Sequence, residues 1–393
     1  MREAPGAEPA PAEAPERTSL GELAALFVRL GATAFGGPAA HIAMMQDEVV
    51  TRRRWLSEER FLDLLGATNL IPGPNSTEMA IHIGWARRRW AGLVVAGLAF
   101  IVPAMLITGA MAWFYVRFNA VPALAWLLHG VKPVVLAVIV QAIWGLAPRA
   151  ARTLRLRVLA VASAAAVAVG VHELLVLLVA GLAAVVGGEA DPRDSAAARS
   201  LAPPMLVPVA AAGVASGVTL PSLFWVFLKT GSVLFGSGYV LLAFLRADLV
   251  ERLGWLTESQ LIDAIAVGQI TPGPVFTTAT FIGYVLAGTS GALVATAGIF
   301  LPAFIFVALS GPLIPRLRAS PRASRLLDGV NVASLALMAV VTVELGRTAI
   351  VDLATAGIAV ASAVLLVRFR INSTWLVLSG AALGWVMQAA RGG

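Results

Sequence analysis

The sequence predicts an all-α polytopic membrane protein of two homologous halves in inverted orientation, with about ten transmembrane helices and one re-entrant Pro-Gly-Pro hairpin per half. Three observations predict it. First, 59% of the 393 residues are hydrophobic and only 13% are charged, with a mean hydropathy of +0.84, whereas soluble domains carry about 25% charged residues. Second, one ordered set of residues occurs twice along the chain. Third, the cationic loops shift by one position between the two copies.

The first 18 residues are rich in Ala, Pro and Glu and have no apolar core. They read as a disordered tail, not a signal peptide. Residues 19–187 form the first copy. Residues 188–219 are a linker and the approach to the second copy, opened by the polar run Gly187-Gly188-Glu189-Ala190-Asp191-Pro192. Residues 220–390 form the second copy. The formal charge of +7 reflects cations clustered between apolar runs, the pattern of topology signals and not of nucleic-acid binding. There is no cysteine, which excludes disulfides, thiolate metal sites and Cys-based catalysis.

The repeat is residue by residue. Trp55-Leu56-Ser57-Glu58 matches Trp255-Leu256-Thr257-Glu258, Asp63 matches Asp263, and Pro72-Gly73-Pro74 matches Pro272-Gly273-Pro274. The offset is 272 − 72 = 200 up to these corners. It is 283 − 84 = 199 beyond them, pairing Gly84 with Gly283, Gly130 with Gly329 and Gly181 with Gly380. Each copy reads as six segments, beginning at about 19–45 and 58–86 in the first half and 220–246 and 258–284 in the second. Arg52-Arg53-Arg54 precedes the second segment and Arg87-Arg88-Arg89 follows it, so both of its ends read as cytoplasmic and the segment should turn back at its Pro-Gly-Pro break. In the second copy the cations follow the third segment instead, at Arg316, Arg318, Arg322 and Arg325. Five crossings and one re-entrant segment per half would invert the second copy, giving both termini outside.

Proline breaks at matching positions in two halves mark a transporter's binding site. Asn75, Ser76, Thr77, Thr277 and Thr278 would open the returning half-helices, whose free N–H groups and partial positive charge suit an anion; simple N-capping is the alternative. Gly36, Gly37 and Gly236, in Phe35-Gly36-Gly37-Pro38 and Phe235-Gly236-Ser237-Gly238, either let backbone approach a ligand or only allow close helix packing. Arg29 and Lys229 are repeat mates inside apolar segments. Together they suit a small dianion at the midplane, or each pairs with an acid such as Glu22 or reaches an interface. Glu78 and His82 lie one turn apart and could relay protons, or pair with each other or with Arg87–Arg89. Lys132 is a weaker anion candidate, answered by Asn331. No Walker, His-Glu-x-x-His or Gly-x-Ser-x-Gly pattern occurs, so ATP is excluded as the energy source and no cofactor or metal is expected.

Phe35-Gly36-Gly37-Pro38, Trp55-Leu56 with Glu58 and Asp63, and Pro72-Gly73-Pro74 resemble the chromate ion transporter family, and the second copy resembles the second half of its long, two-domain members. The resemblance implies an inner-membrane, multi-pass exporter of chromate that confers chromate resistance, with sulfate as the chemical analogue. The implied partners are the chromate or sulfate anion and the lipid bilayer, not nucleic acid, and a homodimer stays open. Ser237 and Gly238 depart from Gly37 and Pro38, so the second break need not bind ligand as the first could. Two other readings are a transporter of sulfate or another anion, and an intramembrane enzyme built on Glu78, His82 and His41.

Overall fold

A computed structural model describes residues 18–35, 37–68, 71–118, 122–186, 217–234, 240–318, 320–369, 371 and 373–392. The expected tail up to residue 17, the linker up to residue 216, Asn69, Gly36 and Gly236 lie outside the described residues.

All described regular structure is helical. In the first half, α1 (Leu20–Thr33) starts at a capping box, in which Ser19 Oγ accepts from the Glu22 N–H and Glu22 Oε2 accepts from the Ser19 N–H. It is followed by α2 (Gly37–Gln46), which ends in a π-helical turn, Asp47–Arg52. Then come α3 (Glu58–Thr68), α4 (Asn75–Phe118), α5 (Pro122–Ala150), α6 (Leu154–Ala168) and α7 (Glu173–Val186). The second half repeats the order. It has α8 (Leu220–Val233), α9 (Leu241–Leu245) with the π-helical turn Arg246–Arg252, and α10 (Glu258–Ile270). A short 3-10 turn, Val275–Thr277, leads into α11 (Thr278–Arg318), followed by α12 (Pro321–Ala349), α13 (Leu353–Phe369) and α14 (Ser373–Gly392). Four stretches among the described residues are long and apolar enough to cross a bilayer: Asn75–Phe118, Leu128–Pro148, Val275–Ser310 and Arg322–Ala349.

The first sequence segment, 19–45, is not one helix. Gly37 takes φ +81° and Pro38 follows it, a combination that stops α1 and restarts the chain in another direction. Arg29 Nη2 of α1 lies 2.6 Å from Glu48 Oε1 beyond α2, so α2 must run back along α1. Arg87 closes the same end of the molecule: its Nε donates to Thr18 Oγ1 and its Nη1 to the Trp55 carbonyl, both at 2.8 Å. The starts of α1 and α3 and the end of the first arm of α4 therefore meet at one place. The two arms of α4 reverse sharply at Arg88 and Arg89, whose backbone is not helical. The arms touch through glycine: a Cβ on Gly84 would strike the Gly92 carbonyl, and the reverse holds. Gly283 and Gly291 repeat this contact around Ala287 and Gly288 in α11. Without a hydrophobic drive between helices in lipid, such close backbone approach is what holds them together.

The halves interlock reciprocally. α5 packs on α14 through Gly130 and Gly380, and α12 packs on α7 where Gly329 faces the Ala180 carbonyl. His129, near the start of α5, lies 3.8 Å from Asp352 just after α12. Arg152, just after α5, pairs with Asp328 near the start of α12. The start of α5 thus lies by the end of α12, and its end by the start of α12, so these repeat mates run antiparallel.

Candidate functional site

The two Pro-Gly-Pro corners meet the opposite half in the same way. The Gly73 N–H donates to the Leu234 carbonyl at 2.8 Å, and the Gly273 N–H donates to the Ala34 carbonyl at 2.8 Å. Each corner is thus pinned to the end of the other half's first helix, beside the break that follows it. Both positions require glycine. Gly73 has φ +140° and a Cβ there would collide with Glu78 Oε1; Gly273 has φ +81° and a Cβ there would meet the Gly31 carbonyl and Ala104. Thr108 Oγ1 donates across the halves to Thr277 Oγ1 at 3.2 Å.

Beyond the prolines, Asn75, Ser76 and Thr77 form the first turn of α4, with Ser76 and Thr77 buried. In the second half Thr277 and Thr278 are buried too, but each spends its hydroxyl locally, on the Pro274 and Val275 carbonyls at 2.9 and 2.8 Å. The first half is not satisfied in this way. Thr77 Oγ1, both Glu78 carboxyl oxygens and His82 Nε2 are buried with no protein partner, and Glu78 is 0% exposed. Buried polar atoms without partners are costly, and these lie within two turns of the corner. A small cavity lined by Ile139, Leu241, Gln269, Val275 and Thr278 lies at the second corner.

Arg29 and Lys229 do not share a site. Arg29 pairs with Glu48 at 2.6 Å, which Arg52 and Arg53 also approach at 3.2 Å. Lys229 Nζ donates to Asp248 Oδ1 at 2.7 Å, and Arg252 lies 2.5 Å from the same carboxylate. Each cation is paired with a carboxylate of its own hairpin, so the expectation that the two together face one dianion gives way to two separate ion clusters; the acid on Arg29 is Glu48 and not Glu22. Glu48 and Asp248 are themselves mates at an offset of 200, a signal the sequence reading passed over. Glu78 and His82 show no bond to each other, and Arg87 is engaged with Thr18 and Trp55 instead.

Lys132 sits in an unforeseen cluster. Its Nζ donates to Ser259 Oγ at 2.6 Å and lies 3.3 Å from Asp263 Oδ1, while Tyr115 OH donates to Asp263 Oδ2 at 3.0 Å. His41 Nε2 is 3.1 Å from the Ala34 carbonyl, which also receives the Gly273 N–H. Among the described residues no group of His, Asp or Glu is placed to hold a metal ion.

The chain matches the family described as "Chromate transporter" twice, over residues 21–186 and 221–385. It is 32% identical to the "Chromate transport protein" of Cupriavidus metallidurans, over 93% of this chain and 92% of the relative. A protein of the same description from Pseudomonas aeruginosa is 32% identical over 96% of this chain and 95% of its own length. The "Probable chromate transport protein" of Synechococcus elongatus is 31% identical over 86% and 87%. No solved structure matches the chain. Two matched halves and relatives aligned almost end to end make this multi-pass, all-helical membrane protein a member of the chromate transporter family, which is a family of transporters and not of enzymes.

Proposed function

We propose that this chain exports chromate, a sulfate-like divalent oxyanion, across the cell's inner membrane and so confers chromate resistance. The observation that carries the reading is the reciprocal pair of hydrogen bonds, Gly73 to Leu234 and Gly273 to Ala34. It ties each proline corner to the first-helix break of the opposite half, and in our reading the starts of both returning helices line one anion site there. There the anion is held by N–H groups of the first turns and by the Thr77 hydroxyl, with Asn75 and Ser76 beside it; Pro72, Pro74, Pro272 and Pro274 fix the corners, and Thr277 and Thr278 shape the second. Helix N-termini bind anions without a free buried cation, which agrees with Arg29 and Lys229 each being held by a carboxylate of its own hairpin.

In this reading the antiparallel α5 and α12 reflect an axis lying in the membrane plane. Each half carries two re-entrant hairpins, α1–α2 with α3 and the first arm of α4, and their mates α8–α9 with α10 and the first arm of α11. This replaces one re-entrant segment per half. The end that carries Arg52–Arg54, Arg87–Arg89, Arg152 and Arg155 is cytoplasmic in this reading, and Thr18, bonded to Arg87, is then cytoplasmic too, against the external N-terminus expected from five crossings per half. A divalent anion gains about 2 × 2.3 kcal/mol on leaving a cell about 100 mV negative inside, worth about three decades of concentration. The potential alone therefore suffices. A proton gradient contributes if Glu78 and His82, buried without partners on the first arm of α4, exchange protons during the cycle. Sulfate is the competing substrate because it shares charge and tetrahedral shape.

The test is chromate binding and flux with purified protein in liposomes. Thr77→Val removes one donor and keeps the shape, so it should weaken chromate affinity about tenfold, the equivalent of about 1.4 kcal/mol, without changing the melting temperature. Arg29→Ala and Lys229→Ala should leave affinity within a few-fold. Loss of affinity in both cation variants, with Thr77→Val unchanged, would return the site to the cations.

A further inference from the structure

Repeat mates should have equal surroundings, yet those of the two hairpin sets differ in one consistent direction. Leu62 on α3 is 52% exposed and its mate Ile262 on α10 is 2% exposed. The Asp63 side chain is 48% exposed, against 4% for Asp263. On the return arms, Met44 of α2 is 38% exposed while Phe244 of α9 is fully buried. The cover is visible. α5 lies on α10, locked by Lys132 to Ser259 and Asp263, Tyr115 near the end of α4 donates to the same Asp263, and α12 lies against α9 and α10. α12, the mate of α5, makes no comparable contact with α3 among the described residues. The exposed face of α3 carries Glu59, Arg60 and Asp63 beside Leu62, so it faces water and not lipid.

We propose that Lys132, Tyr115, Ser259 and Asp263 form a closed gate at the external end, and that transport exchanges it for a mirror-related gate in which Asn331 of α12 closes on Glu59 and Asp63 of α3. The proposal rests on the transporter reading above. The same unit built twice in opposite senses can pack its long helices against either hairpin set, and the inverted repeat makes the two packings near-equivalent. The state described here covers the second-half hairpins and opens the face of α3 at the arginine-rich cytoplasmic end. That is the state in which an exporter collects its anion. The small cavities beside Lys132 and beside Thr278 share Ile139 and Ile265 as lining residues, so they adjoin one another between the second proline corner and the gate that α5 closes. The two gates differ in chemistry: Lys132 meets Asp263 with an opposite charge in the external one, while Asn331 brings no charge to Glu59 and Asp63 in the cytoplasmic one.

The absence of cysteine makes the test clean. Lys132→Cys with Ser259→Cys reports the present gate, and Glu59→Cys with Asn331→Cys reports the mirror gate, each bridged in native membranes by a short bifunctional thiol reagent. Both pairs should cross-link, and either bridge should reduce flux at least tenfold, restored when a cleavable bridge is reduced. Leu62→Cys should react with a water-soluble maleimide, and Ile262→Cys should react slowly in unbridged protein and much faster when the 59–331 pair is bridged. Failure of the 59–331 pair to cross-link, with Ile262→Cys never labelled, overturns the proposal. So does unimpaired flux in protein bridged at 132–259. Cross-links are read on the protein itself, so both bridges forming without any chromate flux would refute the chromate assignment and support the two-gate proposal.

Discussion

At the residue scale, Arg29 and Lys229 show how a correct observation leads to the wrong partner. A cation inside an apolar segment needs a counter-charge, and without a ligand in view a dianion shared by both is the economical answer. The actual counter-charges, Glu48 and Asp248, are 19 residues downstream on a return arm, and nothing in the local pattern announces that the chain turns back. The two pairs should differ in energy. The Arg29 side chain is half exposed and Glu48 keeps Arg52 and Arg53, so Arg29→Ala should cost about 1 kcal/mol. Lys229 and Asp248 are both buried, and Asp248 keeps only Arg252 among the described residues, so Lys229→Ala should cost more, up to about 3 kcal/mol. Thermal unfolding in detergent would read the difference. Glu48 also predicts an acid response. Burial pushes its carboxyl up, but hydrogen bonds from Arg29 and Arg53 and the charges of Arg29 and Arg52 outweigh this and hold it below the ordinary 4.5. Its folded value is depressed, so its contribution is complete above 4.5 and is lost as pH falls through the lower folded value. Glu48→Gln should flatten that acid limb of the melting temperature.

At the element scale, the proline corners were legible because Pro and Gly carry their backbone constraints in their chemistry. The sharp reversal inside α4 was foreseen only as a loop between segments. Its geometry shows a cost. Arg89 has φ +50° and ψ −135°, a region essentially reserved for glycine, and its mate is Gly288, at φ +62° and ψ −153°. The Arg89 guanidinium lies 5.8 Å from the Trp85 ring centre, which returns only part of that strain. Arg89→Gly should therefore stabilise the protein by about 1 kcal/mol, and Gly288→Ala should destabilise it by at least as much. The hairpin of α1 and α2 stayed hidden because Gly36-Gly37 reads equally as a packing patch, and only the Arg29–Glu48 distance decides between them.

At the scale of the whole molecule, the two halves were legible through the offset of matching residues and the shifted arginines, since both survive any amount of packing detail. The uneven burial of α3 and α10 was not. It belongs to one conformational state, and sequence symmetry describes both states at once. The account as a whole claims that an anion leaves the cytoplasm past the two proline corners, each pinned to the opposite half, drawn by the potential. The most direct measurement is chromate uptake into inside-out membrane vesicles with the potential clamped and sulfate as competitor. The account predicts accumulation when the lumen is held positive, collapse of accumulation when the clamp is set to zero, and inhibition by sulfate. Vesicles carrying the folded protein that take up chromate no faster than empty vesicles at any clamped potential would contradict it.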